Sequence, residues 1–236
     1  MQQDINPPIF VAIDRPSLDE ALALAEPLVG IVGGLKLGLE FFTAAGPEGV
    51  RRIAALGLPI FLDLKLHDIP NTVGAAVRSV APLGVRFLTI HTSGGHAMMA
   101  AAAEAAQSAP DLRLLGVTVL TSLDGQDLTA VGQDSDTTAQ TERLARLAIN
   151  AGLNGLVCSP AELTALRGWL PSDTVLMVPG IRLSDSASDD QKRVMTPAQA
   201  LGAGANLLVI GRPITAAPEP VAAAKAIVDS IRTPHT

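Results

Sequence analysis

The alternation of short apolar runs with longer stretches rich in alanine and leucine most constrains how this 236-residue chain can fold. The short runs are typical of buried strands, and the stretches between them have helical periodicity. The pattern predicts strands at Ile9–Asp14, Gly34–Gly38, Ile60–Lys65, Phe87–His91, Leu114–Leu120, Gly155–Cys158, Val175–Val178 and Leu207–Ile210. It predicts helices that include Ser17–Val29, Thr72–Ala81, His96–Gln107, Thr138–Ala151, Pro160–Trp169, Thr196–Gly202 and Glu219–Ile231. Eight strands alternating with helices over this length favour a closed (β/α)8 barrel.

An open, doubly wound α/β sheet is the alternative architecture. Such a sheet is expected to carry a Gly-x-Gly-x-x-Gly turn after its first strand. Here Asp14-Arg15-Pro16 follows the first strand instead. No change in composition divides the chain, so we expect residues 1–236 to form a single barrel domain.

Net charge, aromatic content and cysteine content restrict the partners and the location. The net charge of −6 argues against a general binder of nucleic acid or acidic membranes. Tyrosine is absent, which argues against a stacking surface for single-stranded nucleic acid. Cys158 is the only cysteine, so no intrachain disulfide can form and a cytoplasmic protein is expected. We also expect no signal peptide and no membrane span, because the N-terminus lacks a basic region followed by an apolar core and no apolar run is long enough.

Three charged residues interrupt or follow the apolar run that begins at Phe61. Asp63 and Lys65 are two residues apart, so they point to the same side of an extended chain. Asp68 follows, where Pro70 should end the strand. Ionised groups are rarely buried unless they pair or have a function. Taken alone, Asp63 and Lys65 could form a structural ion pair, and Asp68 could cap the next helix.

Most of the predicted strands have polar residues at or just after their carboxyl ends, which lie at the same end of the barrel. These residues are Asp14, Lys36, Asp63, Lys65, His91, Thr121, Ser122, Arg182, Gly211 and Arg212. Barrel enzymes have their active sites at the carboxyl ends of the strands, so this convergence predicts a catalytic domain. His91 is more simply interpreted as a hydrogen-bonded histidine of the core or rim, and Cys158 as a small buried apolar residue.

The segment Gly211-Arg212-Pro213 predicts a phosphate site. A glycine directly after an apolar strand lets a ligand approach the backbone, and the guanidinium of Arg212 is suited to bind phosphate. Loops after the seventh and eighth strands are a recurring phosphate site in barrels. A phosphorylated small molecule is therefore the expected ligand.

The motif Asp63-x-Lys65-x-x-Asp68-Ile69-Pro70-Asn71-Thr72 resembles the signature of the bacterial orotidine 5′-monophosphate decarboxylases. The resemblance extends from about Ile9 to the last helix. It includes Asp14, Lys36, Leu120-Thr121-Ser122, Pro179-Gly180-Ile181-Arg182, Gln191 and Ile210-Gly211-Arg212-Pro213. It implies a homodimeric barrel that converts orotidine 5′-monophosphate to UMP and CO2 in de novo pyrimidine biosynthesis, without a metal or an organic cofactor.

The resemblance also implies the catalytic residues. Lys65 would donate a proton to C6 of the substrate and would belong to a charged chain with Lys36, Asp63 and Asp68. Asp68 and Thr72 would reach into the site of the partner subunit and complete it.

Further residues would bind the substrate, by the same resemblance. Asp14 and Lys36 would hold ribose hydroxyls, and Thr121 or Ser122 would hold the pyrimidine, with Thr121 favoured. The phosphate would be held by Gln191, Gly211 and Arg212, with Arg182 on a loop that closes over it. The remaining members of the substrate-binding set are Asp63, Asp68, Ile69, Thr72 and Pro179.

The chemistry of such a reaction agrees with these residue types. Loss of CO2 from a ring carbon that cannot delocalise the charge leaves a localised carbanion, which a fixed ammonium group can stabilise and then protonate. Neighbouring carboxylates favour the ionised form of Lys65. A Schiff-base aldolase would instead need a neutral lysine.

Two other functions remain as alternatives. A metal-dependent sugar-phosphate lyase or synthase resembles this chain in its barrel and its Asp-x-Lys-x-x-Asp pattern. It would carry a second acid on strand two to help bind Mg²⁺, where this chain has Lys36. A noncatalytic sensor of a phosphorylated ligand would need no buried chain of charges, and ligand binding without turnover would support it.

Overall fold

The computed structural model describes residues 5–182 and 195–232. Eight parallel strands form a closed barrel in which each strand pairs with its neighbours in the sequence and β1 pairs with β8. The strands are β1 (Ile9–Ala12), β2 (Gly34–Leu37), β3 (Ile60–Leu66), β4 (Phe87–His91), β5 (Arg113–Val117), β6 (Gly155–Val157), β7 (Val175–Val178) and β8 (Leu207–Ile210). The predicted (β/α)8 barrel is confirmed, and the open-sheet alternative is wrong.

Helices surround the barrel in the part of the chain that the structure describes. They are α1 (Leu18–Ala25), α2 (Leu39–Ala54), α3 (Pro70–Val80), α4 (His96–Ala106), α5 (Gly125–Ala130), α6 (Thr137–Asn150), α7 (Leu163–Arg167), α8 (Pro197–Gly202), α9 (Arg212–Thr215) and α10 (Pro220–Arg232). No helix of the described residues is long and apolar enough to cross a membrane.

Several observed boundaries differ from the predicted ones. Helix α3 begins at Pro70, two residues before the predicted Thr72, because proline is favoured in the first helical turn. Strand β5 ends at Val117, although the apolar run continues to Leu120. The predicted helix Pro160–Trp169 is a 3-10 turn followed by α7, which ends at Arg167.

The interior of the barrel is filled below the carboxyl ends of the strands by an aromatic cluster. The rings of Phe10, Phe61 and Phe87 meet edge to face, with centroids 5.7–6.4 Å apart. Gly34 leaves room for this packing, since a Cβ at that position would lie 2.2 Å from the Phe10 ring. The aromatic cluster closes the barrel from below, so inward-facing residues further along the strands surround a cavity that opens at the carboxyl ends.

Strand β3 leaves regular geometry just before it ends. Leu62 pairs with Leu88 of β4, but the next pair joins Leu66 to Ile90, so β3 contains extra residues at this point. Within this irregular segment Lys65 has a φ of 49°, and it is the one non-glycine residue of the described chain with a positive φ. Such local strain is often found at functional sites.

Candidate active site

A cavity of about 520 Å³ opens at the carboxyl ends of the barrel strands. Most of the predicted site residues line it. These residues are Asp14, Lys36, Asp63, Lys65, Thr121, Ser122, Pro179, Arg182, Gly211 and Arg212. Val117, Val157 and Val209 add apolar surface from three strands. The barrel thus brings together residues that are up to about 200 positions apart in the sequence.

The cavity carries an excess of positive charge. Its described lining contains five cationic side chains and two carboxylates, those of Asp14 and Asp63, which leaves three positive charges in a chain whose net charge is −6. The cations are Arg15, Lys36, Lys65, Arg182 and Arg212. A ligand with several negative charges therefore complements this cavity.

Arg15 is a lining residue that the sequence patterns did not single out. Its guanidinium donates a hydrogen bond to the carbonyl oxygen of Thr215, which also lines the cavity, at 2.9 Å. The signal available in the sequence was its position directly after Asp14, just beyond β1.

Lys36 and Asp14 form an ion pair on the wall made by β1 and β2. The Lys36 ammonium lies 2.7 Å from each oxygen of the Asp14 carboxylate, and Lys36 is only 8% exposed. Gly38 makes this arrangement possible, because a Cβ there would lie 2.8 Å from Asp14 Oδ1 and 2.9 Å from Lys36 Nζ. The pair presents a donor, the Lys36 ammonium, beside an acceptor, the Asp14 carboxylate. This arrangement suits a ligand with two adjacent hydroxyl groups, since a hydroxyl can both donate and accept.

Asp63 and Lys65 form a second ion pair at the end of β3. Lys65 Nζ lies 2.7 Å from Asp63 Oδ2, with both side chains partly buried. The other carboxylate oxygen, Oδ1, accepts a 2.9 Å hydrogen bond from the Thr89 hydroxyl. The prediction that Asp63 and Lys65 point the same way therefore agrees with the structure, but the irregular backbone of β3 contributes to the pairing and strict alternation does not account for it.

His91 lies at the end of β4, beside this ion pair. Burial, the ring of His67 and the Lys65 ammonium lower the pKa of His91 from its ordinary value, while Asp63 opposes them. The rings of His67 and His91 have centroids 5.6 Å apart, and Ser93 Oγ lies 3.2 Å from His91 Nδ1. His91 does not line the cavity, which agrees with the interpretation of this residue as part of the core or rim.

Asp68, Ile69 and Thr72 lie outside the cavity of their own chain. The Asp68 carboxylate accepts a 2.6 Å hydrogen bond from the backbone N–H of Ile69, and all three residues are exposed. Ile69, a large apolar residue, is 66% exposed. Within one chain, the structure therefore does not join Asp68 or Thr72 to the Asp63–Lys65 pair.

The residues predicted to bind phosphate follow β7 and β8, on the far side of the cavity from β3. Gly211 and Arg212 line it from β8 and the start of α9. Arg182 lines it from the segment after β7, where its backbone N–H bonds to Met195 O. The predicted residue Gln191 lies outside the described residues. Thr121 and Ser122 both line the cavity, so the choice between them stays open.

Metal ligands are not clustered in the described part of the chain. No group of three histidine, cysteine, aspartate or glutamate side chains is arranged there to hold an ion. Both oxygens of Asp14 already face the Lys36 ammonium.

Fold and site together define a (β/α)8-barrel protein with a positively charged cavity at the carboxyl ends of its strands. Residues 7–227 match the family model described as "Orotidine 5'-phosphate decarboxylase / HUMPS family". The orotidine 5'-phosphate decarboxylase of Opitutus terrae is 54% identical over 95% of this chain and 98% of its own length. The orotidine 5'-phosphate decarboxylase of Paramagnetospirillum magneticum is 51% identical over 92% of this chain and 95% of its own length.

Solved structures with the same fold also match this chain. A structure of orotidine 5'-phosphate decarboxylase from Lactobacillus acidophilus superposes with a TM-score of 0.82 and 33% identity, covering 96% of this chain and 99% of that one. An uncharacterized conserved protein from Geobacillus kaustophilus superposes with a TM-score of 0.81 and 30% identity, covering 95% of this chain and 100% of that one. The chain belongs to the orotidine 5′-phosphate decarboxylase family. The predicted family and enzyme class are thereby confirmed, whereas the roles of individual residues stay predictions.

Proposed function

We propose that this chain decarboxylates orotidine 5′-monophosphate to UMP and CO2 in pyrimidine biosynthesis, without a cofactor and through a C6 carbanion that Lys65 protonates. The observation that carries the proposal is the Lys65 ammonium, which lines the cavity while paired to Asp63 at 2.7 Å. This geometry holds a proton donor at a fixed point in the site, as general acid catalysis requires.

Charge supports this substrate. Orotidine 5′-monophosphate carries one carboxylate and one phosphate, which together bring about three negative charges at neutral pH. The described lining has three more cations than carboxylates. Lys65 at the end of β3 would meet the orotate end, and Arg182 and Arg212, beyond β7 and β8, would meet the phosphate.

The chemical step needs only the substrate and one proton. The bond between C6 and the carboxylate carbon breaks, CO2 leaves, and the electron pair stays on C6. The Lys65 ammonium stabilises that charge and then gives C6 a proton, and the neutral amine recovers a proton from solvent. No oxidant or reductant enters this balance.

Repulsion between Asp63 and the substrate carboxylate contributes less than stabilisation of the carbanion. At ~4 Å and an effective dielectric constant near 20, two like charges repel by about 4 kcal/mol before the lysines screen them. The largest enzymatic accelerations require roughly 20 kcal/mol or more. Most of the stabilisation therefore has to come from Lys65 and from binding energy at the distant phosphate.

The ribose and the pyrimidine would bind between these two ends. The Asp14–Lys36 pair is suited to two ribose hydroxyls, and Thr121 or Ser122 is suited to the polar edge of the base. Gly211 and Arg212, which line the cavity, are proposed to hold the phosphate together with Gln191, which lies outside the described residues. Arg182 is proposed to close over the phosphate, and Pro179 lines the site.

The proposed enzyme is a homodimer in which Asp68 and Thr72 complete the partner's site. Two observations support this arrangement: these residues lie outside their own cavity, and the exposed side chain of Ile69 is apolar. A twofold interface would bring each set to the other site. The sites would then combine Lys65 of one chain with Asp68 of the other.

The test is the loss of orotate absorbance when the purified chain is mixed with orotidine 5′-monophosphate. We expect rapid loss with formation of UMP, and the same rate after treatment with EDTA. Binding without turnover would favour a sensor. Activity on a sugar phosphate that is lost on chelation and restored by Mg²⁺ would favour the synthase or lyase alternative.

A further inference from the structure

Thr89 is a fully buried residue that contacts both members of the Asp63–Lys65 pair. It lies on β4 and is 0% exposed. Its Oγ1 accepts a hydrogen bond from the Lys65 backbone N–H at 2.8 Å and donates one to Asp63 Oδ1 at 2.9 Å. One hydroxyl therefore links the backbone of the proposed proton donor to the carboxylate that pairs with it.

The backbone of Lys65 needs this contact because regular pairing with β4 is interrupted there. The β3–β4 register shifts between Leu62 and Leu66, and Lys65 has a φ of 49°. A residue in this conformation persists only when its surroundings hold it there. The Thr89 hydroxyl supplies an acceptor to the Lys65 N–H inside the irregular segment.

The carboxylate of Asp63 is oriented through both of its oxygens. Oδ1 accepts from Thr89, and Oδ2 faces the Lys65 ammonium at 2.7 Å. Without the Thr89 hydroxyl, Asp63 could rotate about its side-chain torsions and carry the ammonium away from its position in the cavity. Displacement of a catalytic group by about 1 Å can reduce the rate by roughly 100-fold.

We propose that Thr89 is a positioning residue for the decarboxylation, whose hydroxyl fixes the Lys65 ammonium relative to C6 of the substrate. The inference rests on the proposed function. Thr89 does not line the cavity, so it acts on the reaction through Asp63 and Lys65. A purely structural threonine would affect stability without affecting kcat.

The test compares Thr89→Val, which keeps the shape and removes the hydroxyl, with Thr89→Ser, which keeps the hydroxyl. Thr92→Val is the matched control, because Thr92 is also 0% exposed and its hydroxyl bonds only to the carbonyl oxygen of Val117 among the contacts of the described chain. If Thr89→Val does not fold, Thr89→Ala removes the same hydroxyl without requiring a branched side chain to fit. All assays are made well below each variant's melting temperature.

We expect kcat of Thr89→Val to fall by about 100-fold, with the Kd for UMP unchanged within about threefold. Thr89→Ser and Thr92→Val should keep kcat within about threefold of the wild type. Equal kcat in Thr89→Val and the wild type would overturn the inference. An equal fall of kcat in Thr92→Val would also overturn the inference, because removal of any buried hydroxyl would then be enough to slow the reaction.

A second readout does not depend on turnover. Crystal structures of the variants should show the contact between Lys65 Nζ and Asp63 lost in Thr89→Val and kept in Thr89→Ser. An unchanged contact in Thr89→Val would overturn the inference even if the wild type did not act on orotidine 5′-monophosphate. Lack of wild-type turnover, by contrast, would refute the proposed function.

Discussion

Substitution of Gly38 by alanine should weaken substrate binding without unfolding the protein. Gly38 has φ −98° and ψ −170°, an extended conformation that alanine also adopts. The added Cβ would, however, lie 2.8 Å from Asp14 Oδ1 and 2.9 Å from Lys36 Nζ. Since ordinary contacts begin near 3.4 Å, both groups must withdraw by about half an ångström. They are side-chain ends, so we expect them to move rather than the backbone.

The magnitude follows from the proposed role of the Asp14–Lys36 pair in holding ribose hydroxyls. A hydrogen bond to a charged group contributes roughly 1.5–3 kcal/mol. Loss of one such bond predicts that kcat/KM falls by about 10- to 100-fold. The Kd for UMP should rise by a similar factor, because UMP has the same ribose.

The assay measures kcat/KM from the orotate absorbance, the Kd for UMP by calorimetry and the melting temperature of each variant. Gly202→Ala is the matched control, because Gly202 lies at the end of α8 with nothing within 4 Å of an added Cβ. A kcat/KM for Gly38→Ala within twofold of the control would refute the reasoning. A large drop in melting temperature in Gly38→Ala alone would show that the backbone moved instead.

Three other outcomes are expected. The lowered pKa of His91 means that the fold favours the neutral ring, so its contribution to the free energy of unfolding is full above the ordinary pKa of 6.5 and is lost progressively as the pH falls from there towards the lower pKa of the folded protein. Urea unfolding of His91→Gln should therefore show a smaller loss of stability between about pH 7 and pH 5 than the wild type, and an equal loss would contradict this role of His91. Homodimers of Lys65→Ala and of Asp68→Ala should be nearly inactive, whereas subunit exchange between equal amounts should restore about a quarter of wild-type activity; exchange without recovery would place Asp68 in its own subunit's site or make it structural. Phosphite added to a truncated nucleoside substrate should accelerate the wild type more than Arg212→Ala, and an equal response would mean that Arg212 does not hold the phosphate.

The barrel could be predicted from the sequence because buried parallel strands are short, apolar and regularly spaced. The ends of strands were harder to predict. Leu114–Leu120 overran β5 by three residues, since Val119 and Leu120 are apolar but line the cavity. Helix α2 is not among the predicted helices, and Gly46-Pro47, which usually marks a turn, lies at a kink inside it.

The charged residues of the site other than Arg15 could be predicted because ionised side chains are rare at the ends of apolar strands. Thr89 could not be predicted in this way, since a threonine within a strand is ordinary. Its contacts depend on the register shift between β3 and β4, which no residue pattern of the sequence specifies. Asp68 and Thr72 illustrate a different limit, because their proposed role depends on a second chain.

The central claim is that Lys65 protonates the carbanion, and Lys65→Ala tests it most directly. Turnover of orotidine 5′-monophosphate and the Kd for UMP are measured in parallel, with Lys225→Ala, an exposed lysine of α10, as the control. The account predicts that kcat of Lys65→Ala falls by at least about 10⁴-fold, since both electrostatic stabilisation and general acid catalysis are lost. UMP should still bind to this variant. Near-normal turnover in Lys65→Ala would contradict the account.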